Sequence, residues 1–64
     1  MDEEQAELVR LIYTCIGMIM EDASVIALGL GSPGTAFDPE KAEELRKSVD
    51  AVSTLVATAR TLGQ

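Results

Sequence analysis

The first half of this chain is too apolar for the rest of it to cover. From Leu8 to Leu30 nearly every residue is hydrophobic. The polar exceptions run in one thin stripe, Arg10, Thr14, Gly17, Glu21 and Ser24, with Asp22 beside it. A helix with so narrow a polar face has to be buried on several sides. The remaining residues supply only one further helix, so the missing cover is expected from another chain, and self-association follows.

Size points the same way. A chain of 64 residues is one domain, 1–64, and a single core of that size supplies only about 3–5 kcal/mol unless something staples it. Cys15 is the only cysteine, which rules out an internal disulfide, and there is no histidine. One thiol cannot build a zinc site of the usual kind, so no metal and no cofactor is expected. Oligomerisation is the staple that remains. Hydrophobic residues make up 47% and charged residues 25%, a globular balance rather than a disordered one.

The formal net charge of −6 disfavours direct binding to nucleic acid or to an anionic membrane, both of which need a basic surface. Leu11 to Leu30 is about the ~20 residues that a bilayer requires. Glu21 and Asp22 fall in the middle of that window, and each central acid opposes insertion by roughly 2.5–3.5 kcal/mol. Asp2, Glu3 and Glu4 stand where a signal peptide has its basic region. The expected location is the cytoplasm, with no membrane association.

The pattern predicts a helix over about 2–28, a Gly/Pro loop over 29–37 and a second helix over about 39–62. Asp2, Glu3, Glu4 and Glu7 crowd the first start, where they complement the positive end of the helix dipole. Val9, Tyr13, Ile16, Met20, Ala23, Ala27 and Leu30 recur at alternating spacings of four and three, a heptad seam. Leu8, Ile12, Cys15, Ile19 and Ile26 form a flanking row, broken at Asp22, and Leu11, Met18 and Val25 widen it.

Gly29 or Gly31 is expected as a left-handed helix cap. The loop is glycine-rich, but it lacks the lysine, the Ser/Thr and the preceding strand of a phosphate-binding loop. Asp38 is a good N-cap with Pro39 at the first helical position. Lys41 sits where a capping box would need Glu or Gln, and Phe37 is placed to staple against Ala42. Ala42, Leu45, Val49, Val52, Val56 and Ala59 form the second seam, with Leu55 and Leu62 beside it. Glu43, Lys47, Asp50 and Thr54 form the solvated face opposite.

Two helices of roughly 36–40 Å joined by a short connector must run antiparallel. The expected fold is all-α: an antiparallel two-helix hairpin dimerising into a four-helix bundle. Leu8, Leu11, Ile12, Cys15, Ile16, Met18, Ile19 and Ile26 are the expected dimer or partner interface. Cys15 is expected to be a buried, inert thiol. Asp22, in the apolar row, is expected to be partly buried and able to specify register. Thr14, Gly17, Glu21 and Ser24 are the candidate recognition stripe, because alanine would serve a merely solvent-facing helix better than Gly17 does.

Ala27-Leu28-Gly29 followed by a proline-containing loop, and Val49-Asp50 with Val52 and Leu55 in the second helix, resemble a family of small bacterial helical-hairpin domains of uncharacterised function. The resemblance covers about half the chain and implies the hairpin but no activity. The plan also resembles Rop, the RNA-binding hairpin dimer, in architecture alone, since this chain lacks a basic, aromatic helix face.

The functional expectation is a non-enzymatic interaction protein, an adaptor, chaperone-like partner or regulator, pairing with itself and with another protein. The alternative is an acidic inhibitor, for example phage-borne, whose Glu40, Glu43, Glu44 and Asp50 block a basic site on a nucleic-acid-processing enzyme. A small-molecule site around Tyr13, Met18 and Met20 ranks below both, because methionines more often fill core gaps than leave them.

Overall fold

A computed structural model describes residues 1–64. Two helices, α1 (Glu3–Leu30) and α2 (Pro39–Leu62), pack against each other as a hairpin. The molecule is long and thin, with Cα extents of 51 × 14 × 12 Å.

Each helix starts where the sequence places a cap. The Asp2 carboxylate accepts from the Gln5 backbone N–H at 2.7 Å, and the Gln5 side chain accepts in return from the Asp2 N–H at 3.4 Å. This capping box satisfies two of the donors that a helix start leaves free. Asp38 accepts from the N–H groups of Glu40 (3.0 Å) and Lys41 (3.4 Å), with Pro39 behind it. Asp38→Ala is therefore expected to destabilise the protein by about 1 kcal/mol, read as a lowered midpoint in a circular-dichroism melt.

The loop corrects two expectations. α1 runs on to Leu30, and its cap, Gly31, is right-handed (φ −87°) rather than left-handed. The one positive φ in the chain is at Gly34 (φ 81°). Gly34 follows Pro33, and Thr35 N–H donates to Ser32 O at 3.3 Å. That is a type II turn, with proline pre-set at its second position and glycine required at its third. The left-handed glycine thus serves the turn and not the cap. Phe37 leaves 71% of its surface exposed, so the expected staple against Ala42 does not close over it.

Burial shows which face of each helix meets the other. On α1 the reduced exposure falls on Gln5, Val9, Ile12, Ile16, Ile19, Ala23, Ile26 and Leu30, an unbroken heptad row, with Ala6 beside its start. On α2 it falls on Leu45, Ser48, Val52, Leu55, Ala59 and Leu62, with Ala42 and Val56 beside them. The Gln5 side-chain amide donates to Leu62 O at 3.3 Å and ties the start of α1 to the end of α2.

The expected first seam is therefore rotated. Ile12, Ile19 and Ile26 point at α2, while Tyr13, Met20 and Ala27 stay exposed. A row through Ile12, Ile19 and Ile26 can take Val9, Ile16, Ala23 and Leu30 from the expected seam at the same three-four spacing, so periodicity alone does not choose between the two. On α2, Ser48 takes the half-buried place expected of Val49, which is 56% exposed. Only Ile16 (6% exposed) and Ala59 (2%) are buried.

Candidate interaction surface

Apart from Met1, Leu28 and Phe37, the large exposed apolar side chains sort into two surfaces on opposite flanks of the hairpin, the first of them edged by the half-buried Ala42 and Val56. One is shared by both helices. Tyr13, Met20 and Ala27 follow the inward row of α1 one position later, and Ala42, Val49 and Val56 flank the inward row of α2. A shallow groove joins the two rows. Met20, Ala23, Ser24 and Ala27 line it from α1, and Leu45, Ser48, Val49 and Val52 from α2. No charged side chain lies in either row.

The other surface belongs to α1 alone. Leu8, Leu11, Cys15, Met18 and Val25 are all exposed, and their three-four spacing makes a second seam along the helix. Asp22 interrupts it. Both Cys15 and Asp22 are exposed in the single chain, so any shelter for them has to come from outside the hairpin. Their row lies outside the contact with α2, which takes the isoleucines.

The expected interface residues thus divide. Ile12, Ile16, Ile19 and Ile26 are spent inside the hairpin, whereas Leu8, Leu11, Cys15 and Met18 remain open.

Thr14, Gly17, Glu21 and Ser24, the expected recognition stripe, are all exposed along one face of α1. The Thr14 hydroxyl donates back to Arg10 O at 3.0 Å within its own helix. Ser24 belongs to the groove. Glu21 is exposed and has no cation within ion-pair distance. A Cβ added at Gly17 would meet nothing within 4 Å. Gly17→Ala is therefore expected to stabilise the chain by about 1 kcal/mol through helix propensity alone, read as a raised denaturant midpoint. A loss of stability would mean that another backbone needs this gap.

The acidic residues of α2 are interleaved with cations. Arg46 bridges Glu43 (3.0 Å) and Asp50 (2.6 Å), and Lys41 lies 3.4 Å from Glu44. The hydrogen bond from Arg46, with some help from its charge and that of Lys47, holds the Glu43 carboxyl below its ordinary value of 4.5. A lowered folded-state value means the contribution is present above the unfolded value and fades as the pH falls through the folded one. The stability gap between wild type and Glu43→Gln is thus expected to be widest near neutrality and to close below pH 4.5, measured by urea titration across that range. Because both partners are solvent-exposed, the gap is small.

No group of three or more Cys, Asp or Glu side chains is gathered closely enough to hold a metal ion. By length and hydropathy α1 is able to cross a membrane, and Glu21 and Asp22 are both exposed within it.

No protein-family model, curated protein or solved structure matches the chain.

Proposed function

We propose that the protein is a small, non-enzymatic helical interaction module that pairs with a second copy into a four-helix bundle and serves another protein as adaptor, chaperone-like partner or regulator. The observation that carries this reading is surface. The chain exposes 4818 Å² at a mass of 6.8 kDa. Folded monomers of that mass expose roughly 3,950 Å² by the general scaling of area with mass. The surplus, roughly 900 Å², is close to the ~800 Å² that each partner contributes to a stable protein–protein interface.

Ten large hydrophobic side chains stand exposed, from Met1 through Val49, and contiguous apolar surface of this kind marks association sites. The acidic surface and the two carboxylates inside α1 favour work in the aqueous cytoplasm, away from membranes and without direct nucleic-acid contact. The acidic-inhibitor reading ranks lower, because Lys41 and Arg46 neutralise much of the Glu43, Glu44 and Asp50 patch.

Light scattering coupled to size exclusion across a dilution series tests the proposal. Twice the single-chain mass is expected at micromolar concentration. A well-folded helical monomer at that concentration would overturn self-pairing.

A further inference from the structure

We propose that the second copy docks face to face on the surface formed by Tyr13, Met20, Val49 and Val56, leaving the Leu8, Leu11, Met18 stripe of α1 on the outside of the bundle. The proposal rests on the self-pairing argued above and adds which side of the hairpin is used.

Three observations separate the two surfaces. The shared face carries no charged side chain in either row, whereas the α1 stripe holds the exposed carboxylate of Asp22. Burying that carboxylate against a copy of the same stripe would strip it of water with no cation to meet it.

The second observation is width. A helix of 28 residues is about 42 Å long and roughly 10 Å across, so a stripe on α1 alone hides only about 400 Å² per chain. A face two helices wide hides about twice that, which matches the surplus surface and the ordinary interface size.

The third is continuity with the core. Val9, Ile16 and Ala23 of α1, and Leu45, Val52 and Ala59 of α2, already face the partner helix. With Ile12, Ile19 and Ile26, adding Tyr13, Met20 and Ala27 gives α1 three apolar positions per heptad; on α2, Val49 and Val56 join Leu45, Val52, Leu55 and Ala59, with Ser48 the one polar member. That is the pattern of a helix in a bundle, and broader than a two-helix seam demands.

Cys15 is a built-in reporter, because it lies in the α1 stripe and is the only thiol. In the proposed dimer it points outward, far from its symmetry mate. A solution shown to be dimeric by light scattering is expected to show one freely reactive thiol per chain with Ellman's reagent. Its dimer is expected to run as a single chain on a denaturing gel without reductant. Val49→Asp is expected to weaken dimerisation by at least about tenfold, while Met18→Asp leaves it within about twofold.

A dimer in which Cys15 is protected or disulfide-linked, or in which Met18→Asp is the disruptive change, would overturn the choice of face while leaving self-pairing intact. A folded monomer would overturn self-pairing itself. Because Val49 is exposed in the single hairpin, the aspartate does not enter the α1–α2 seam. The thiol measurement needs no variant at all.

Discussion

Ile16→Ala is expected to abolish cooperative folding at room temperature. Ile16 is the one large side chain that the hairpin buries, at 6% exposure, and it sits midway along the inward row of α1. Truncating a buried isoleucine to alanine removes about 2–5 kcal/mol, part of it transfer free energy and part the cavity left behind. The core of one hairpin supplies only about 3–5 kcal/mol, so the loss is of the same size as everything that one hairpin contributes. The expected observation is a far-ultraviolet circular-dichroism signal that declines gradually with urea, without a sigmoid. Met18→Ala is the matched control. Met18 is equally apolar but exposed, and its truncation is expected to change stability by no more than about 0.5 kcal/mol. A cooperative Ile16→Ala protein losing less than about 1 kcal/mol would mean that the inward row is not the one described.

The second large effect is a dependence of stability on protein concentration. If folding and pairing are one event, the reference state is two unfolded chains. Each tenfold dilution then removes about 1.4 kcal/mol of apparent stability per dimer. For a bundle built from two such chains that corresponds to several degrees of melting temperature per decade. Thermal melts over two to three decades of concentration are expected to give a van't Hoff line of midpoint against concentration. A midpoint that does not move would show that the hairpin holds itself together, and the apolar surface would then be waiting for a different protein.

The two effects are linked through the same residues. Ala23 and Val52, in the same inward rows as Ile16, lie where the α1–α2 seam borders the open face, so damage to the hairpin seam also removes the floor on which a copy would rest. Met20 and Val49 lie higher and are reached only from outside. Their substitution is expected to act on the proposed association first and on the hairpin second.

Much of this architecture is legible in the amino-acid order. Asp38-Pro39 announces the start of α2, Pro33-Gly34 announces the turn, and the apolar run from Leu8 announces a helix with more than one buried side. These signals are local. A cap, a proline ring and a glycine at positive φ act through the dihedrals and hydrogen bonds of a few neighbouring residues, and they work whatever the rest of the chain does. The capping box of Asp2 and Gln5 was equally local and readable, but a cluster of acids invites a dipole argument and hides the reciprocal bond.

What the order of residues left open is the rotation of α1 about its own axis. Two rows, one through Ile12, Ile19 and Ile26 and one through Tyr13, Met20 and Ala27, share Val9, Ile16, Ala23 and Leu30 and satisfy the heptad rule equally. Periodicity measures spacing along one helix, and spacing is unchanged when the helix turns. Only a second helix in place breaks the tie. The hairpin turns the three isoleucines toward α2 and leaves the tyrosine, the methionine and Val49 on a common open face. Cys15 and Asp22 go to the other flank for the same reason. That an apolar surplus exists was therefore written in the composition of α1, and where it lies was decided by packing.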